Sequence, residues 1–176
     1  MAHHLRGPRG AGPPVSRIVP RPGQESVWDY PRPPRVEPST EHVVVRFGGQ
    51  VVADTRDAVR VLETSHPPGY YLPRAAFAGG VLVQAPGSSV CEFKGMGRYL
   101  DLRVGDAVAR RAAWYYPQPW PGYEQLRDTV ALYPGAMERC EVDGEHVIPQ
   151  EGGFYGGWIT SRVVGPFKGG PGTLGW

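Results

Sequence analysis

His42-Val43-Val44-Val45-Arg46-Phe47-Gly48-Gly49-Gln50-Val51-Val52-Ala53 is the stretch that decides the fold. Two runs rich in β-branched residues flank a Gly pair, and that spacing predicts a hairpin whose two-residue turn takes φ > 0. The pattern recurs on either side. Residues 58–64, 81–84, 98–104, 107–115, 129–133, 138–142 and 145–148 read as further short strands, with Gly105-Asp106 and Asp143-Gly144 as turns. Residues 73–77 and 123–127 are the helical candidates, and both are short. Many short strands divided by Gly and Pro turns predict a mainly β domain with one or two short helices.

The chain has 176 residues, of which 25 are Gly and 20 are Pro, a level at which low complexity begins. These residues crowd the two ends, so the centre remains large enough to bury one core. Residues 1–24 lack periodicity and large apolar side chains, and are expected to be a disordered arm. Residues 25–176 are expected to form a single domain. Within it Trp28-Asp29-Tyr30-Pro31-Arg32-Pro33-Pro34-Arg35 predicts an extended, polyproline-like strap pinned by Trp28 and Tyr30. From Gly152 the tail alternates Gly pairs with Phe154, Tyr155, Trp158, Phe167 and Trp176. Aromatics in that number are costly to leave in water, so the tail is expected to fold back as a second strap or to cross to a second copy in a homodimer.

The net charge is +2, with an excess of three positive charges on residues 1–38 rather than on the globular part. A phosphate-binding face is therefore not expected, and nucleic acid is excluded as a partner. No apolar run approaches a membrane span and no leader-like h-region follows the first residues, so a cytoplasmic protein without membrane contact is expected. Cys91 and Cys140 stand alone and far apart, which predicts reduced thiols rather than a disulfide framework. His42, His66 and His146 are isolated, and neither a phosphate loop nor a dinucleotide fingerprint occurs, so no metal and no cofactor is expected.

Three constellations carry chemistry. Glu63-Thr64-Ser65-His66-Pro67-Pro68-Gly69-Tyr70-Tyr71-Leu72-Pro73-Arg74 reads as a strand end, a rigid turn and a loop presenting Glu63, His66, Tyr71 and Arg74 at a pocket mouth. The competing reading pairs Glu63 with Arg74 to close the turn. Lys94 stands out by scarcity, since the chain's 19 basic residues include only two lysines, Lys94 and Lys168, both in Phe-Lys-Gly. A compact ammonium suits an anionic ligand, or acid-base work if desolvated; the plain alternative is a surface lysine. Finally Trp114-Tyr115-Tyr116-Pro117 places Trp114 and Tyr116 on one face by strand alternation, suited to stacking on a flat ligand or to plugging a core.

At these residues the chain resembles the bacterial and fungal proteins called domain of unknown function 427. The matching segments are Trp28-Asp29-Tyr30-Pro31-Arg32-Pro33-Pro34, Ala53-Asp54-Thr55, Leu62-Glu63-Thr64 with Tyr70-Tyr71-Leu72-Pro73, Cys91 with Lys94-Gly95 and Tyr99, Trp114-x-Tyr116-Pro117, and Tyr155-Gly156-Gly157-Trp158-Ile159-Thr160. The resemblance implies a β-tent, two antiparallel sheets joined at one end, as in methionine sulfoxide reductase B, the Mss-four proteins and the thalidomide-binding domain of cereblon. Several of those relatives hold zinc with two Cys-x-x-Cys pairs; this sequence has neither, so the zinc is not carried over. The nucleotidyltransferase-like label attached to the family is likewise not carried over.

Together these readings predict a small-molecule-binding domain with a cleft lined by Glu63, His66, Tyr71, Arg74, Lys94, Tyr99, Trp114 and Tyr116. The first alternative is a small-molecule enzyme using Glu63 and Lys94 as an acid-base pair, with His66 or Tyr71 assisting. The second is a structural, dimerising protein.

Overall fold

The fold is that of a computed structural model, which describes residues 14–176. Residues 1–13 of the expected disordered arm lie outside the described residues. Residues 14–24 carry no strand or helix; there the Ile18 N–H donates to the Gly165 carbonyl at 3.0 Å and the Arg17 guanidinium lies 5.1 Å from the Trp28 ring.

The strands, in chain order, are β1 (Glu25–Ser26), β2 (Arg35–Pro38), β3 (Val43–Phe47), β4 (Gln50–Thr55), β5 (Val59–Leu62), β6 (Gly69–Pro73), β7 (Leu82–Cys91), β8 (Gly95–Val104), β9 (Ala107–Tyr115), β10 (Thr129–Leu132), β11 (Arg139–Val142), β12 (Glu145–His146), β13 (Ile148–Pro149), β14 (Trp158–Ile159) and β15 (Val163–Val164). The only helical elements among the described residues are single 3-10 turns at Val27–Asp29, Arg74–Ala76, Glu124–Leu126 and Pro134–Ala136. The protein is mainly β, and no helix of the described residues is long and apolar enough to cross a membrane.

The opening hairpin forms as its sequence dictates. Gly48 and Gly49 take φ of 61° and 78°, the left-handed pair that a two-residue turn between twisted strands requires. Gly48 is also fixed by packing, since a Cβ there would sit 2.5 Å from the Cβ of Val104. From the hairpin grows a four-stranded antiparallel sheet, β12-β11-β3-β4, facing a seven-stranded antiparallel sheet, β2-β5-β6-β10-β9-β8-β7. Strand alternation makes the core between them. Val43, Val45, Cys140 and Val142 come from the small sheet, and Tyr70, Leu72, Leu100, Leu102, Val130 and Leu132 from the large one.

Several predicted segments differ from the structure; residues 145–148, read as one strand, split into β12 of the small sheet and β13, which pairs with β14. Residues 69–73, read as a loop, form strand β6, paired with β5 on one side and β10 on the other. Arg35–Pro38, read as polyproline-like, pairs with β5 from Arg35↔Leu62 to Pro38↔Val59; prolines are tolerated there because β2 is an edge strand. Strand β7 runs past Gln84 to Cys91, the register shift between Gln84 and Ser88 absorbing Pro86 and Gly87.

The tail lies on its own domain. Trp158 is 1% exposed, Phe167 packs against the cluster of Val27, Tyr30 and Leu62, and Trp176 meets Trp28 with ring centroids 5.4 Å apart. Phe154 is the exception, at 79% exposure. Both cysteines are free thiols, Cys140 buried and Cys91 half-buried.

Candidate functional site

The site lies on the face of the large sheet turned away from the main core. Because β6 is a strand, its two tyrosines part company: Tyr70 enters the core, while Tyr71 emerges on the opposite face with Tyr116, Tyr123, Leu126 and Ala131. Trp114 and Tyr116 share that face as alternation predicts, each with its ring centroid 6.4 Å from that of Tyr71. The Trp114 Nε1–H donates to the Tyr71 hydroxyl at 3.3 Å, and Lys94 and Tyr116 stand beside the same phenol. Tyr71, 3% exposed, is the hub of the cluster.

Lys94 reaches this hub from the β7–β8 turn, its Nζ lying 5.9 Å from the Tyr116 ring. Burial disfavours its ammonium, but the Tyr71, Cys91 and Glu63 groups facing it more than reverse that and hold the amine above its ordinary value. Lys94 is thus a cation at neutral pH. Burial likewise drives the Tyr116 phenol far above its usual range, so it stays protonated. Tyr99 is more peripheral. It stands opposite Trp114 across β8 and β9, but its ring is covered by the Arg111 guanidinium at 4.2 Å.

Glu63 and His66 are brought together by the turn that ends β5. The His66 N–H donates to the Glu63 carbonyl at 3.0 Å, and Ser65, fully buried, takes φ of 71° between them. This left-handed step, strained for a residue with a Cβ, sets the His66 Nε2 at 3.5 Å from the Glu63 carboxylate. The alternative pairing of Glu63 with Arg74 does not form. A strand advances about 3.3 Å per residue, so β6 carries Arg74 to its far end, where the exposed guanidinium lies 4.7 Å from the Tyr115 ring. Glu63 takes Arg32 instead, at 3.2 Å. Arg74 therefore leaves the candidate set.

Residues outside the predicted cleft complete the site. Gln150 faces His66, its Nε2 at 3.4 Å from Nδ1, and donates to the Lys168 carbonyl at 2.7 Å. Tyr155 sets its ring edge-on to His66 at 4.9 Å, and the Lys168 Nζ lies 5.5 Å from the Tyr155 ring. Tyr133 stacks on Trp114 at 4.7 Å. Beside these residues opens a cleft of about 320 Å³, lined by Tyr133, Pro134, Pro149, Gln150 and Tyr155 among others. Its volume falls in the range of small-molecule sites. Among the described residues no group of three or more His, Cys, Asp and Glu is placed to hold a metal.

Both lysines of the chain bear on one histidine. Burial is the largest influence on His66 and pushes it down to about 4; Glu63 pulls upward, while Lys168, Arg32 and Lys94 press it further down. His66 is therefore neutral in the folded protein at pH 7, whereas an unfolded histidine titrates near 6.5. The unfolded chain binds the proton first as pH falls. Stability from this residue is complete above pH 6.5 and is lost progressively down to about pH 4, by up to about 3 kcal/mol. Chemical denaturation at pH 7, 6, 5 and 4.5 should show this fall, and His66→Gln should flatten it; an equally steep fall in the variant would place the titration elsewhere.

The chain matches none of the curated proteins. The family model described as a domain of unknown function (DUF427) matches residues 35–143. That span holds Glu63, His66, Tyr71, Lys94, Tyr99, Trp114 and Tyr116, while Arg32 and the tail residues Gln150, Tyr155 and Lys168 lie outside it. It covers more than half of the chain and runs through both main sheets, and the chain belongs to the DUF427 family.

Proposed function

We propose that the domain binds a small, planar, anionic molecule in the cleft beside Tyr133 and Tyr155. One observation carries this reading: the two tyrosines that wall the cleft are the same ones that touch His66 and Trp114, so the cleft borders the polar and aromatic cluster. Rings along the walls suit stacking on a flat group. Lys94 and Lys168 supply the counter-charge, and Gln150 and His66 supply orienting hydrogen-bond groups. An enzyme with Lys94 as its base is less well supported, because the groups around that amine keep it protonated at neutral pH.

The test is a matched set of probes: 2-naphthoate, the uncharged 2-naphthamide, and the non-planar cyclohexanecarboxylate. Thermal shift of the wild-type protein should be largest with 2-naphthoate. Lys94→Gln and Lys168→Gln should reduce its advantage over 2-naphthamide. No shift with any probe, or equal shifts with naphthoate and naphthamide, would count against an anion site here.

A further inference from the structure

We infer that Phe154 is the residue that closes the cleft: its ring turns in over the flat face of the bound ligand and so selects planar molecules. This deepens the reading of the cleft as a ligand site and rests on it. Residues 151–156 form a loop of six whose ends are fastened together. The Gln150 N–H donates to the Gly157 carbonyl at 3.0 Å, and the Gly157 N–H donates to the Gln150 side-chain oxygen at 3.1 Å. The flanks are held by packing as well, since a Cβ on Gly152 would lie 2.9 Å from the Gly169 carbonyl oxygen and one on Gly156 would run into the Trp114 ring. Compact surface loops with joined ends are frequently functional. Between these fastenings the apex is open: Gly153 and Phe154 are both exposed, and a Cβ on Gly153 would meet nothing within 4 Å.

Position decides what this apex does. Gly152 and Gly153 line the cleft just before Phe154 in the chain and Tyr155 lines it just after, while the Phe154 ring stands outside at 79% exposure. A single exposed aromatic needs no explanation by itself. What sets Phe154 apart is that its chain neighbours on both sides wall a cavity that its own ring leaves uncovered. The ring is held by little. The Tyr133 hydroxyl donates to the Phe154 carbonyl at 3.3 Å, which ties the backbone of the apex to the wall that Tyr133 begins, and the ring itself meets only Tyr155 edge-on at 5.0 Å. Exposed side chains change rotamer in picoseconds to nanoseconds, and Gly153 has no side chain to obstruct the turn. Swinging inward removes apolar surface of both ring and ligand from water. A flat aromatic ligand adds ring–ring contact beyond that area, which a puckered aliphatic ring does not return.

The experiment titrates 2-naphthoate and cyclohexanecarboxylate by calorimetry, and records NMR contacts between bound naphthoate and the Phe154 ring protons, assigned by their loss in Phe154→Ala. Wild-type protein should show those contacts. Phe154→Ala is expected to weaken 2-naphthoate about tenfold and cyclohexanecarboxylate less than about threefold, with Tm unchanged because the side chain is exposed. Phe154→Tyr, which keeps the ring, should bind naphthoate as the wild type does. Three results would overturn the inference while leaving the cleft a ligand site: naphthoate bound equally well by Phe154→Ala, naphthoate bound without contact to the Phe154 ring, or an affinity loss matched by a fall in Tm, which is the mark of a structural role. If the wild-type protein binds neither probe, the underlying site reading falls as well.

Discussion

Arg60→Met is expected to cost about 2–3 kcal/mol of stability and to lower Tm by about 5–10 °C. The Arg60 side chain is 1% exposed, yet it stands in β5, two residues before the strand ends and the Glu63 turn begins. Its Nη1 donates to Glu25 at 3.2 Å and Glu37 at 3.0 Å, and its Nη2 donates to Glu25 at 3.1 Å and to the Tyr30 hydroxyl at 3.2 Å. Burial raises the Glu25 carboxyl, and the guanidiniums of Arg60 and Arg162 more than reverse it, holding the group below its ordinary value. Removing the guanidinium leaves Glu25 with Arg162 alone at 2.7 Å and Glu37 with Arg35 alone at 3.6 Å, both of them partly exposed arginines; breaking a buried pair typically costs about 3–5 kcal/mol. Glu25 and Glu37 retain 29% and 34% exposure, so water takes up part of the loss and the lower figure applies. Methionine keeps the apolar stem, which separates charge from packing. Adding Glu25→Gln and Glu37→Gln to Arg60→Met should restore much of the stability, because Arg162 then keeps Glu41 at 3.1 Å and Arg35 is exposed to water. A single Arg60→Met variant within about 0.5 kcal/mol of wild type would contradict this account. The same clamp bears on the site, since Glu25 and Tyr30 anchor the strap that delivers Arg32 to Glu63.

What the sequence made legible divides along the same line. Strands with one face in the core and one toward solvent declare themselves by alternation: Val43, Val45 and Phe47 are buried while Arg46 between them is exposed. Strand β6 could not declare itself, because Tyr70, Tyr71 and Leu72 are all buried and the period of two disappears. The flanking prolines then made it read as a loop. Reading it so kept Arg74 near Glu63, which the strand's length forbids. Residues chosen for side-chain chemistry within one segment, Tyr71, Trp114 and Tyr116, converge because one sheet holds them, Tyr71 on β6 and Trp114 on β9 with only β10 between, and Tyr116 just past the end of β9. Those missed are contributed across long stretches of chain: Arg32 meets Glu63 from 31 residues away, and Gln150 meets His66 from 84. No local pattern records such a meeting. Lysine scarcity was the one hint, and it pointed at Lys94 and Lys168 alike.

Gly157→Ala is expected to lose about 1–3 kcal/mol and to weaken 2-naphthoate binding by about tenfold, whereas Gly153→Ala, four residues earlier, should leave stability unchanged. The two positions differ in space. A Cβ on Gly157 would lie 2.5 Å from the Gln150 Oε1, 2.8 Å from the Pro67 Cγ and 2.9 Å from the Pro67 carbonyl oxygen, while one on Gly153 would meet nothing within 4 Å. Side-chain amides swing aside cheaply, but the Pro67 ring and carbonyl belong to the rigid turn that carries His66. Gly157 also exchanges two hydrogen bonds with Gln150, accepting from its backbone N–H at 3.0 Å and donating to its side-chain oxygen at 3.1 Å. Forcing the tail outward at this point therefore strains Gln150, which faces His66, and displaces Tyr155 two residues away. The next residue, Trp158, donates its backbone N–H to the Pro68 carbonyl at 2.9 Å and buries its indole in the core, so the tail cannot relax freely. Stability and ligand response should fall together, read by Tm and by the naphthoate-induced shift in the same samples. A Gly157→Ala protein whose Tm and naphthoate response both match those of the wild type would mean that the tail does not press on the His66 turn, and that the cleft is shaped without it.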